Sequence, residues 1–128
     1  MKKIFIILPL LFMTHICLSQ DKKMNCSEFR TGKFTYKEKP FTGVIVTRTK
    51  KRQTEYDPKS GLKIKFKIHW TGDCHYDLIQ LRSNDKEVNK YKGSIISVDI
   101  TKTYGDKYEY TAEYFGTITK YTIIKIGK

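Results

Sequence analysis

Residues Leu62 to Trp70 read Leu-Lys-Ile-Lys-Phe-Lys-Ile-His-Trp, nine positions that alternate strictly between apolar and basic or imidazole side chains. Successive side chains of a pleated strand leave opposite faces, so this run fits a strand with one face on a core and the other in water. A helix would scatter the same residues around its circumference. Asp57-Pro58-Lys59-Ser60-Gly61 precedes it as a strong turn, with Pro presetting φ and Gly supplying a positive φ, and Thr71-Gly72-Asp73 returns the chain. A three-residue return loop sets Trp70 opposite Cys74, Ile68 opposite Tyr76 and Phe66 opposite Leu78, all facing inward. The outer face then pairs His69 with His75 and Lys67 with Asp77.

Weaker versions of the pattern fill the rest of the chain. Phe29 to Tyr36 alternates until Glu38-Lys39-Pro40 breaks it, and Phe41 to Thr49 carries Val44 and Val46 on one face with Ile45 and Thr47 on the other. Arg52 to Tyr56 is a strand of low apolar content; a turn at Lys50-Lys51 places Arg48 opposite Gln53, with Glu55 one diagonal step away. Arg82 to Lys92 is polar, a loop or one to two helical turns. Ser94 to Thr103, Lys107 to Phe115 and Thr117 to Ile126 complete the set, separated by turns at Tyr104-Gly105-Asp106 and Gly116. About eight short strands with local connections, and no helical pattern long enough for a crossover, predict an all-β antiparallel up-and-down barrel over residues 26–128. A two-sheet β-sandwich is the alternative. With Phe66, Trp70, Tyr76, Tyr108 and Tyr110 pointing inward, the interior is expected to be filled by side chains rather than hollow.

The amino terminus carries a location signal. Met1-Lys2-Lys3 is a short positive region, and Ile4 to Cys17 is an apolar run that ends on the small residues Cys17 and Ser19. This reads as a signal peptide over residues 1–19, too short for a comfortable membrane span, followed by a flexible leader over 20–25. Export to the periplasm or beyond is therefore expected, with no transmembrane segment in the mature chain. Lipoprotein anchoring at Cys17 ranks lower, because Ile16 is bulky where lipid-modification signals place a small residue.

Cleavage leaves Cys26 and Cys74, an even pair in an oxidising compartment, and a single disulfide is the default. Lys2 and Lys3 leave with the signal, so the net charge falls from +12 to +10, enough to attract anionic surfaces. Only Arg30, Arg48, Arg52 and Arg82 are arginines, whereas phosphate and base recognition favour the Arg fork. Lysine at alternate strand positions is the ordinary way to solvate a sheet, so nucleic acid is disfavoured as a partner.

The stretches Asn25-Cys26-Ser27-Glu28-Phe29-Arg30-Thr31-Gly32-Lys33-Phe34, Thr47-Arg48-Thr49 with Gln53-Thr54-Glu55, and Trp70-Thr71-Gly72-Asp73-Cys74-His75-Tyr76-Asp77-Leu78 resemble a family of short exported proteins of Bacteroidota. The likeness runs to about Leu81, and its two cysteines and tryptophan are its more specific parts. It implies export and a compact, lipocalin-like β fold, without an established activity. Members often carry a DNA topoisomerase IV label. This chain has no room for an ATPase and a strand-passage gate, and no phosphate-cradling glycine loop.

No catalytic constellation stands out. Cys74 and His75 are adjacent on a strand and point to opposite faces, so they form no dyad. His69 and His75, with Asp73 nearby, are the weak metal candidates, and otherwise neither a metal nor a cofactor is implied. Glu109 and Glu113 flank Thr111 as on any solvated strand, which leaves no carboxylate pair for glycoside chemistry. Arg48, Gln53 and Glu55 form a polar network at a barrel mouth, either a structural ion pair or an anion-binding group. Trp70, Tyr108, Tyr110 and Tyr114 are further candidate ligand or partner contacts, the tyrosines expected to face inward because Glu109, Thr111 and Glu113 opposite them are more polar. The first expectation is an exported, non-catalytic binding protein whose partner is a small ligand, a cell-surface polymer or another protein. The second is a secreted inhibitor or immunity-type protein using loops such as Lys50–Arg52 or Ser83–Lys90 on a filled barrel, and an enzyme ranks third.

Overall fold

The computed structural model describes residues 24–128. The expected signal peptide, and the leader up to residue 23, lie outside the described residues. A 3-10 turn, η1 (Ser27–Phe29), precedes eight strands: β1 (Gly32–Tyr36), β2 (Ile45–Arg48), β3 (Arg52–Tyr56), β4 (Lys63–Gly72), β5 (His75–Ser83), β6 (Ile95–Tyr104), β7 (Lys107–Tyr114) and β8 (Thr117–Gly127). One helical turn, α1 (Lys86–Asn89), sits between β5 and β6, and the Asp85 carboxylate caps it by accepting from the Glu87 and Val88 amides. Each strand pairs antiparallel with its neighbour in sequence, and β1 pairs with β8, so the sheet is a closed up-and-down barrel. Closure leaves no long unpaired edge, which suits a chain built only of short hairpins.

The interior follows the alternation. Phe34 on β1, Val46 and Arg48 on β2, Phe66 and Ile68 on β4, Tyr76 and Leu78 on β5, and Val98 and Ile100 on β6 are buried. Each fully buried large apolar side chain contributes about 1.5–3 kcal/mol relative to exposure. Tyr108, Tyr110 and Ala112 are buried on the inner face of β7, and Tyr114 beyond them is half-buried.

The β4–β5 hairpin differs in register from the expectation. The loop is two residues long, Asp73-Cys74, and Trp70 lies opposite Tyr76, Ile68 opposite Leu78 and Phe66 opposite Gln80, a slip of two residues. Thr71 is the extra residue of a bulge between Trp70 and Gly72, and it absorbs the difference. An even slip keeps every side chain on its expected face but changes its neighbour. Consequently His69 pairs with Asp77 rather than His75, and Lys67 with Ile79 rather than Asp77.

The barrel seam needs Gly32. Its φ is +132°, and a Cβ there would stand 2.8 Å from the Gly127 carbonyl oxygen on β8, so a side chain would force the two edges apart. Just beyond the seam the Glu38 carboxylate accepts from the Thr122 amide at 2.9 and 3.1 Å, covering backbone that β1 is too short to pair.

Candidate functional site

The two ends of the barrel are built differently. At one end η1 lies across the opening and Phe29 fills it, its ring 4.9 Å from that of Tyr108. Two fastenings hold this plug. The disulfide Cys26–Cys74, with Cα atoms 5.4 Å apart, ties the start of η1 to the β4–β5 turn. From inside, Arg48 donates through Nη1 to the Phe29 carbonyl at 2.7 Å. Trp70 belongs to this closed end: its ring packs 4.7 Å from Tyr76, and the Arg30 guanidinium lies 4.6 Å over it.

Arg48 is 2 % exposed, so the network expected at a barrel mouth is instead sealed beneath the plug. Besides Phe29, it donates from Nε to Gln53 Oε1 at 2.9 Å, and from Nη2 to the Tyr108 and Tyr76 hydroxyls at 3.0 and 3.3 Å. The two hydroxyls bond each other at 2.8 Å. Burial works against the guanidinium charge, but the phenol partners and their field outweigh it, and Arg48 stays cationic. Its plane also lies over Phe34 and Tyr76, at 4.6 and 4.9 Å from the ring centres.

Gln53 carries the network toward the other half of the barrel, its Nε2 donating to Glu55 Oε1 at 3.2 Å. The Tyr36 hydroxyl donates to the same carboxylate oxygen. Burial raises the Glu55 pKa, and the bond from Tyr36, the charge of Arg48 and the bond from Gln53 offset this only in part. Burial likewise pushes the Tyr36 and Tyr110 phenols well above their ordinary value, with the Glu55 charge adding to the effect on both.

Above this layer the barrel is hollow. A cavity of about 600 Å³ occupies the end formed by the β1–β2, β3–β4 and β7–β8 connections, so the expectation of a filled interior is corrected: side chains fill one half only. The reason is the placement of bulk. Phe29, Phe34, Arg48, Tyr76 and Tyr108 all crowd the plugged half, whereas Val44, Leu78, Val98 and Ala112 line the open one and leave room. Tyr36, Glu55, Tyr110 and Tyr121 also line the cavity, with Phe41 and Phe115 beside the connections. Phe115 is 71 % exposed, has a φ of 48°, and meets the Tyr114 and Tyr91 rings edge-to-face. With Gly116, whose φ is 78°, it forms the two-residue turn between Tyr114 and Thr117, where positive φ at both central residues is what a tight hairpin requires.

Of the residues singled out from sequence, Glu55, Tyr110 and Tyr114 line the cavity. Arg48, Gln53 and Tyr108 are buried in the plugged half, and Trp70 packs against its Tyr76. Tyr36, Phe41, Val44 and Tyr121 went unrecognised. The inward alternation of Phe34 and Tyr36 could have marked the first of them, while Phe41 and Val44 lie outside any regular strand. On the outer wall His75 bonds through Nδ1 to Asp99, and its Nε2 is 3.2 Å from Ser97 Oγ and 3.5 Å from Asp77. The cross-strand pair of histidines that would hold a metal ion is not formed, because the two-residue turn at Asp73-Cys74, with the bulge at Thr71, sets His69 opposite Asp77.

Fold and cavity define the class: a closed eight-stranded antiparallel barrel, plugged and stapled at one end and open over an aromatic-lined chamber at the other. No family model, curated protein or solved structure matches the chain.

Proposed function

We propose that this is an exported, non-catalytic, lipocalin-like protein that binds a small and largely apolar ligand in the open half of its barrel. The observation that carries the reading is the cavity of about 600 Å³, concave, walled by apolar and aromatic side chains, and furnished with a few polar groups. Cavities of roughly 300–1,000 Å³ with this lining are typical small-molecule sites. The apolar amino-terminal run and the Cys26–Cys74 disulfide support the exported setting, and the motif resemblance to short exported Bacteroidota proteins agrees with it. The hollow interior counts against an inhibitor acting from a filled barrel.

Uptake of the fluorescent apolar probe 1-N-phenylnaphthylamine tests the reading. The mature protein is expected to bind it with micromolar affinity and a blue-shifted emission. Ala112→Trp, which projects a large ring into the cavity, is expected to abolish uptake while far-UV circular dichroism and a cooperative thermal transition show an intact fold. Equal uptake by this folded variant would refute the cavity as the binding site.

A further inference from the structure

The cavity's charge contradicts that of the molecule around it. The chain carries a formal +12, yet among the described residues the lining holds two carboxylates, Glu55 and Asp57, and no lysine, arginine or histidine. The lysines of β4 that face outward cannot reach inside. The nearest cation, Arg48, is turned away, because its Nε, Nη1 and Nη2 are all directed to Gln53, Phe29, Tyr76 and Tyr108 in the plugged half. An anionic head entering this chamber would meet two like charges and no cationic side chain in the lining.

Glu55 offers the opposite. Both of its protein donors, the Tyr36 hydroxyl and Gln53 Nε2, converge on Oε1, which leaves Oε2 without a protein partner among the described residues. The rings of Tyr36, Tyr110 and Tyr121 line the cavity with it, and Phe41, Tyr114 and Phe115 lie toward the rim with Asp57. A carboxylate in a chamber lined by aromatic side chains suits an organic cation, since ring quadrupoles attract positive charge and the buried carboxylate supplies a charge-assisted hydrogen bond. The outer lysines do not cancel this: at physiological ionic strength charges in solvent are screened within about 8 Å.

Resting on the cavity-binding reading, we infer that the ligand is a cationic amphiphile, an apolar body bearing a protonated amine that enters head-first and docks on Glu55. The apolar body would lie against Leu78, Val98 and Ala112.

Titration calorimetry of the mature protein with decylamine, decanol and decanoate at pH 7, the ions below their critical micelle concentrations and the alcohol below its solubility limit, tests this directly. The three share a ten-carbon body and differ only in the head. Decylamine is expected to bind at least tenfold tighter than decanol, and decanoate more weakly than decanol. Glu55→Gln should erase the preference for the amine over the alcohol, and the variant should fold because Gln Oε1 can still accept from Tyr36 and Gln53. Decanoate binding as tightly as decanol, or an amine preference that survives Glu55→Gln, would overturn the inference. If none of the three binds while phenylnaphthylamine uptake persists, this inference alone fails; if uptake is also absent, the cavity-binding reading fails with it.

Discussion

Arg48→Met removes the charge and the donors of the buried guanidinium while keeping a long apolar stem. Two acceptors are then stranded out of water, the Phe29 carbonyl and Gln53 Oε1, and each unsatisfied buried acceptor costs about 1–3 kcal/mol. The Tyr76 and Tyr108 hydroxyls lose less, because they retain each other at 2.8 Å. Loss of the cation from above the Phe34 and Tyr76 rings adds about 0.5–2 kcal/mol. Relief of the cost of burying a guanidinium acts the other way, and the balance expected for removing one member of a buried charged network is a loss of about 3–5 kcal/mol. For a domain of about 100 residues that lowers Tm by roughly 14–24 °C. Urea unfolding with the disulfide intact in both proteins is the assay, and the midpoint should fall while the slope is unchanged. Two local signatures should accompany it: faster amide exchange through η1, whose Phe29 carbonyl has lost its inner fastening, and a Glu55 carboxyl that titrates higher without the positive charge. A variant within about 1 kcal/mol of the wild type would refute the argument that Arg48 anchors the plug.

Replacing Cys26 and Cys74 by Ser opens a 48-residue loop and should cost about 4 kcal/mol in the chain-entropy model, measured by urea unfolding; a loss below about 1 kcal/mol would be inconsistent with the staple's assigned role. Gly32→Ala should destabilise by more than about 2 kcal/mol, because a strained φ is added to a clash with the Gly127 carbonyl. Amide exchange confined to β1 and β8 would locate the damage, and protection equal to wild type there would contradict it. Glu55 gives a pH dependence. Its folded pKa is raised, so the folded state binds the proton more tightly than the unfolded chain does, and stability should fall as pH rises from the ordinary carboxylate range through the folded pKa. Glu55→Gln should remove that slope; an identical stability-versus-pH profile in the two proteins would show that Glu55 is not its source.

The strands and their faces were written in local pattern. The alternation from Leu62 to Trp70 and the Tyr108, Tyr110, Ala112 series on β7 specify which side chains turn inward whatever the pairing partner, because the side-chain period is two and an even slip preserves the face. Two cysteines beyond an apolar amino-terminal run were enough to anticipate the staple, and the Arg48–Gln53 pairing followed from a short turn. What the tertiary structure decided was everything that depends on closure. The turn at Asp73-Cys74, together with the bulge at Thr71, moved His69 from one histidine to an aspartate, which no pattern of alternation registers. The cavity arises because the bulky inward residues gather in one half of a barrel whose bore is set by strand number and tilt, a global quantity absent from any single strand. The meeting of Tyr36 and Glu55, from β1 and β3, likewise exists only once the hairpins wrap around a common axis. Alternation determined what faces the interior; the geometry of the closed sheet determined which of those side chains are packed solid and which surround a space.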